Sequence, residues 1–376
     1  MSQLNAAPRA LANWRTPAVI IICGCLIGMV SFGPRSALGF FLTPLSSANG
    51  WGREVFAFAL AIQNLLWGVG QPFAGAVADR FGTDRVLIVG SLFYAAGLAL
   101  MSQSNTPGML DLSAGVLIGL GLSGCSFNIV LGAFGKLLPE GWRSIAFGIG
   151  TAAGSFGQFL FSPIAVAIMD RTTWQFALYI FAGVIMLIVP LAFALSTPPQ
   201  GTSSSANAPA QTTLKATLAE AFGHRSYVLL VLGFFTCGFQ LAFITVHLPA
   251  YLIDRGLSAE IGGWTLAVIG LFNIVGSLTS GYLGNRMPRR FILSFIYLAR
   301  ALAVVAFISL PASPVATLVF GAVTGLLWLS TIPPTSSLVA IMFGVRWLSM
   351  LFGVLSALIN LPIVEKPAPQ LAPAAA

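Results

Sequence analysis

The chain has 376 residues, of which 57% are hydrophobic and only 7% charged, with a formal net charge of +8 at pH 7. A soluble domain carries roughly 25% charged residues, so a soluble enzyme is excluded, and the surplus of positive charge belongs to loops between apolar runs rather than to a nucleic-acid-binding face. Those runs recur at close to the ~20 residues that cross ~30 Å of hydrocarbon, which makes the chain an all-α polytopic membrane protein.

In chain order, the first apolar run starts at Pro17 behind Arg9 and Arg15. At about 25 residues it is too long for the core of a secretory signal and reads as an uncleaved first span. The predicted spans are 17–42, 55–77, 86–104, 112–135, 144–168, 173–195, 226–252, 261–284, 291–310, 313–343 and 348–364, eleven in all. With the N-terminus in the cytoplasm, the basic residues outside the spans divide twelve to three. Arg9, Arg15, Arg80, Arg85, Lys136, Arg143, Lys215, Arg225, Arg286, Arg289, Arg290 and Arg346 lie inside, against Arg53, Arg171 and Arg255. That asymmetry fixes the expected orientation. Cys23, Cys25, Cys125 and Cys237 all fall within spans, as reduced packing residues with no metal-site or disulfide spacing. Between spans six and seven, a Ser-, Pro- and Ala-rich stretch reads as a flexible linker. It is followed by Leu214, Leu218 and Phe222 at fourfold spacing, the pattern of a short amphipathic helix on the membrane surface.

The two halves echo each other. "GAVADRFGTDR" (Gly75, Asp79, Arg80, Gly82, Arg85) after span two matches "GYLGNRMPRR" (Gly281, Asn285, Arg286) after span eight, 206 residues later. "SIAFG" at 144–148 matches "SMLFG" at 349–353, an offset of 205. Two echoes at nearly one offset indicate a duplicated six-helix unit. The small Gly75 permits close helix approach, and Asp79 can hold a basic residue and a helix N-terminus in one gate state and release them in another.

The G-x-x-x-D-R-x-G-x-x-R pattern at 75–85 resembles the signature of the major facilitator superfamily, and the resemblance extends over nearly the whole chain. It implies a two-bundle fold of twelve helices. The expected organisation is an N-terminal six-helix bundle at 1–195, a cytoplasmic linker at 196–225, a shortened C-terminal bundle at 226–366 and a disordered tail at 367–376. The shortening is read from the repeat. About 50 residues separate "SIAFG" from "LSTPP", but 14 separate "SMLFG" from "EKPAP", so the second half is one span short and 348–364 joins the start of one span to the end of another.

Ionisable groups inside spans are costly and mark function. The spans contain no deeply placed Asp or Glu; their internal charges are Arg35 and Arg300, with His247 as the titratable neutral candidate. Arg35 lies seven residues from the predicted outer end of span one, ~10 Å deep, and Arg300 lies near the middle of span nine, ~14 Å deep. For Arg300, bonds to backbone carbonyls and substrate contact are both open. Gln63, Asn128, Gln158 and Asn273 are amides able to orient a polar solute or to join helices.

A transporter of cationic drugs calls for a buried carboxylate, whereas buried guanidinium without a counter-ion favours an anionic guest. "RSALGFF" and "VHLPAYLIDRG" resemble monocarboxylate transporters and bacterial oxalate/formate exchangers. That resemblance implies a secondary transporter in a bacterial inner membrane, acting as a monomer on a small organic anion by proton coupling or exchange, with no cofactor. One departure is Ser277, where many relatives carry a second arginine. The expected binding residues are Arg35, Asn128, Gln63, Gln158, His247 and Asn273, with a gating motif of Gly75, Asp79, Arg80, Gly82, Arg85, Asn285 and Arg286. The alternatives are a carrier of a neutral or amphiphilic solute and an inactive, truncated transporter.

Overall fold

The computed structural model describes residues 14–199, 214–311 and 313–360. Residues 200–213 of the expected linker, the expected tail, and the His247 side chain lie outside the described residues. All regular structure among the described residues is helical.

Six helical segments precede the linker: α1 (Pro17–Asn49), α2 (Arg53–Phe81), α3 (Thr83–Met101), α4 (Pro107–Leu137), α5 (Glu140–Met169) and α6 (Trp174–Leu195). Six follow it: α7 (Leu214–Gly223), α8 (Arg225–Asp254), α9 (Ala259–Leu283), α10 (Arg289–Ser309), α11 (Pro314–Phe343) and α12 (Leu348–Asn360). Several starts are written in dipeptides. Thr16-Pro17, Thr106-Pro107 and Ser313-Pro314 each place a hydroxyl N-cap before a proline, and the three hydroxyls accept from Val19 N, Met109 N and Ala316 N. Gly82, at φ 107°, makes the tight corner between α2 and α3 that a side chain would strain.

Each predicted span coincides with a helical segment, but among the described residues eight are by themselves long and apolar enough to cross a membrane, so the count of eleven is not established. α2 falls short because it carries Gln63, Asn64 and Gln71 within its length and charges at both ends. α8, 30 residues long, meets α7 across an 85° bend. α7 forms as the fourfold spacing predicts, turning Thr217 and Ala221 inward and leaving Leu214 and Phe222 exposed to the surroundings.

Two crossings dominate the contacts between the segments before the linker and those after it: α2 against α12, and α5 against α9. In the sequence repeat, α2 corresponds to α9 and α5 to α12, so a two-fold operation exchanges the two crossings. Both rest on glycine. A Cβ on Gly281 would lie 2.8 Å from Gly148 Cα, and one on Gly75 would lie 2.6 Å from Ser349 C and 2.7 Å from Met350 N. The main packed core runs through α1, α3, α4, α5 and α6 and continues onto α12.

Gly75→Val forces a side chain into the backbone of α12. A loss of roughly 1–3 kcal/mol is expected, seen as a lower Tm by scanning fluorimetry in detergent. Gly183→Ala, where nothing lies within 4 Å of the added carbon, serves as the matched control and leaves Tm unchanged or raised. Equal melting temperatures for the two variants would show that the α2–α12 crossing does not depend on Gly75.

Candidate functional site

α1 sets the position of the first buried charge. The helix does not end near residue 42; it passes Pro34, tightens into a 3-10 turn at Leu38–Phe41, and runs on to Asn49 before Gly50 reverses the chain at φ 66°. Arg35 therefore lies fourteen residues, ~21 Å along the axis, from the helix end, which falls beyond the end of the apolar run at 42.

The Arg35 guanidinium donates from Nη2 to Asn64 Oδ1 at 2.6 Å and lies over the Trp67 ring, 4.4 Å from its centroid. Its buried Nε has no hydrogen-bond partner. A bond from a charged donor contributes roughly 1.5–3 kcal/mol, and a desolvated cation–π contact about 2. Removing an ion from water costs several kcal/mol, and no acidic group pairs with Arg35 among the described residues. Two neutral partners thus leave the charge undercompensated.

Arg35 opens on a cavity of about 190 Å³ between α1, α2, α4, α5, α8, α11 and α12. Six aromatic rings line it: Phe32, Trp67, Phe127, Phe234, Trp328 and Phe352. Gln71, Ser126, Ser155 and Gln158 add uncharged polar groups, and among the described residues Arg35 carries the only charge on the wall. A wider groove of about 630 Å³ between α2, α3 and α4 has an almost wholly apolar lining and includes the exposed Phe73 and Val89. It lacks the converging polar groups of a solute site.

The expected binding residues separate into two groups. Arg35 and Gln158 lie on the cavity wall. Gln63, Asn128 and Asn273 are buried in helix contacts instead. Gln63 Nε2 donates to Ala114 O at 2.8 Å. Asn128 Oδ1 accepts from Ser126 Oγ, and its Nδ2 reaches Gln71 O and Ser349 O at 3.3 and 3.4 Å. Asn273 Nδ2 donates to Ser155 Oγ at 2.8 Å, and its Oδ1 accepts from Leu329 N at 2.9 Å. Arg300 spends its donors on Leu327 O, Trp328 O and Cys237 Sγ, so the backbone role is the one the structure displays.

Asn64, Trp67 and Gln71 were not singled out by the sequence, although a signal for them existed. They fall at i, i+3 and i+7 on α2, one polar-aromatic stripe on an apolar helix. Gln63, one residue away, is turned ~100° from that stripe, toward α4.

The gating motif is assembled at one end of the helices. Asp79 Oδ1 pairs with Lys136 Nζ of α4 at 2.5 Å, while Oδ2 accepts from Met350 N in the first turn of α12 at 2.9 Å. A carboxylate from a neighbouring helix thus caps an N-terminus whose amides have no intrahelical acceptor. In the repeat-related place, Asn285 Nδ2 donates to Gly141 O at 2.8 Å and Ser144 Oγ to Gly281 O at 2.9 Å. Arg80 and Arg286 lie over Phe81 and Tyr282, with 5.2 and 4.5 Å to the ring centroids. Arg85 is exposed in the first turn of α3. These contacts close the motif end.

Asp79→Asn removes the charge but keeps the shape. The expected loss lies at the low end of the roughly 3–5 kcal/mol for stripping one member of a buried pair, because Lys136 retains 15% exposure. A double-mutant cycle with Lys136→Gln, read by thermal unfolding, should show strong coupling, whereas additive losses would mean the pair is not an interacting unit.

Residues 24–364 match the Major Facilitator Superfamily. An uncharacterised MFS-type transporter of Bacillus subtilis, YcxA, is 29% identical over 288 residues, covering 74% of this chain and 67% of its own length. Monocarboxylate transporter 12 of Rattus norvegicus is 22% identical over 297 residues, covering 71% of this chain and 60% of that protein. The chain spans between 46% and 67% of the length of the first curated relatives it matches. Among solved structures, the transporter FucP in its outward conformation superposes with a TM-score of 0.70 at 17% identity, over 92% of this chain and 88% of that one. This likeness concerns the fold.

Proposed function

We propose that this chain, which belongs to the major facilitator superfamily of alternating-access transporters, moves a small organic anion of the monocarboxylate kind across a bacterial inner membrane. The observation that carries this reading is the unpaired guanidinium in an aromatic cavity. A carboxylate would meet Arg35 in the fork geometry that guanidinium favours and would supply the charge that Asn64 and Trp67 cannot. The surrounding rings offer an apolar wall for the rest of the solute, and Gln158 a polar orienting group. At about 190 Å³ the cavity has the volume of roughly six waters, which suits a short aliphatic or single-ring acid. The distant similarity to a monocarboxylate transporter points the same way.

In this reading the closed motif end and the cavity belong to one state of a cycle. Opening at that end requires α12 to leave α2 and α9 to leave α5, which breaks the Asp79 clasp and the Asn285 contact together. Binding energy from the anion on Arg35 is spent on that exchange.

Uptake of a radiolabelled monocarboxylate into proteoliposomes tests the proposal. Arg35→Gln should reduce kcat/KM by on the order of 100-fold, since about 3 kcal/mol is lost with a buried charge partner. Arg35→Lys should retain part of the activity. Undiminished uptake by the Gln variant would remove the assignment. Competition by neutral sugars but not by carboxylates would favour a neutral substrate instead.

A further inference from the structure

α11 is broken in the middle. Its first part ends at Leu327, and a second helical stretch starts at Ile332. Pro333 and Pro334 have no N–H, so the carbonyls of Leu329 and Ser330 lose their i+4 donors, and Ile332 N turns back to Leu329 O rather than to Trp328 O. In a bilayer such groups must be satisfied by protein. Ser280 Oγ donates to Ser330 O at 2.5 Å, and Asn273 Oδ1 receives Leu329 N. The remaining carbonyls, of Leu327 and Trp328, are held by Arg300 from α10, whose Nη1 also meets Cys237 Sγ at 2.9 Å. The cation stands at the C-terminal, negative end of a half-helix.

The repeat supplies a comparison inside the same molecule. α4 is broken at Cys125–Ser126, and the 205-residue offset carries that point to Ser330–Thr331. Beside the α4 break the side chains that tie it to its neighbours are uncharged: Ser123 Oγ donates to Leu66 O and Trp67 O of α2, and Cys125 Sγ to Leu87 O of α3. At the second break a buried charge grips the broken helix's own carbonyls. The void beside Arg300, between Gln240, Thr324 and Trp328, is about 10 Å³. That space admits at most one water, so Arg300 is not placed to touch a solute. What it grips is the segment whose next residues, Trp328, Leu329 and Ile332, form the cavity wall contributed by α11.

We infer that Arg300 is a positioning residue that sets how far the Trp328–Leu329 wall enters the cavity, and so the bulk of the solute the cavity accepts. The bulk limit rests on the proposed anion transport; the positioning of the wall does not. Three donors arrayed on two adjacent carbonyls fix both the place and the tilt of the break, which a single ammonium cannot reproduce.

The experiment uses the full chain in proteoliposomes, with a reporter cysteine at Leu329→Cys. Labelling by a membrane-impermeant maleimide is measured after subtracting the native cysteines of the matching variant without the reporter. Arg300→Lys should change the labelling rate about tenfold and shift the kcat/KM ratio of an aryl to a two-carbon monocarboxylate by a similar factor. Arg35→Gln should leave the labelling rate in place. Labelling within twofold of the parent overturns the inference. So does an unshifted ratio in a chain that transports both acids. Should Arg300→Lys fail to fold, Asn273→Ser, which releases Leu329 N, must produce the same change in labelling, and its absence is equally decisive. Altered labelling in a chain that transports no carboxylate supports the positioning of the wall while refuting the substrate reading.

Discussion

A bilayer offers the backbone no hydrogen bonds, and the rest of this structure follows from that deficit. It forces the chain into helices, and it makes every interruption of a helix a debt that side chains must settle. The interruptions here border the cavity that carries Arg35. α4 opens at Cys125–Ser126 and α11 at Trp328–Thr331, and both breaks turn residues into the central cavity. At the first break Ser126 Oγ takes Ser123 O; at the second Ser280 Oγ takes Ser330 O, Asn273 Oδ1 takes Leu329 N, and Arg300 takes Leu327 O and Trp328 O. Of the amides that looked like binding groups, Asn273 is part of this settlement, while Gln63 and Asn128 join neighbouring helices.

The second constraint is close approach. Helices in hydrocarbon gain little from burying apolar surface against one another, so contact depends on packing and on small residues. Gly75, Gly148 and Gly281 supply it at the two crossings that join the repeats. The crossings are related by the duplication, yet their polar fastenings differ. At one, Asp79 accepts from an amide of α12 while it stays paired with Lys136 of α4 on its own side; at the other, Asn285 and Ser144 donate to backbone carbonyls. Releasing the first leaves a carboxylate that keeps Lys136 but has to replace an amide donor. The two crossings are therefore unequal steps in any motion that separates the halves at the motif end.

The third element is the charge at the cavity. A guanidinium with an amide on one nitrogen and an indole against its face is held in place but not neutralised. Orientation without neutralisation is what a reversible anion site requires. A resident carboxylate at hydrogen-bond distance would close the site to its ligand, while a solvated arginine would bind weakly in high dielectric. The surrounding rings lower the local dielectric, and among the described residues Arg35 is the sole charged group on the wall.

The sequence by itself determined the class, the helical segments, the duplication and the depth-independent fact of two arginines without acids, because hydropathy, helix-start dipeptides and repeat spacing are local properties. It also placed Asp79 at a helix N-terminus correctly in kind, since Gly75, Asp79 and the 206-residue echo can be read from the chain. It did not reveal that α1 runs to Asn49, because helix ends beyond an apolar run follow backbone bonding rather than hydropathy. Nor could it say which polar residue meets which. Gln63 and Asn64 are neighbours in the chain, yet one bonds α4 and the other bonds Arg35, a separation set by ~100° of helix rotation and by the partner helix that rotation faces. Only the tertiary structure decided that Arg35 is the arginine facing a cavity and Arg300 the one sealing a helix break, because that choice depends on which carbonyls the break in α11 exposes and on which distant helix can reach them.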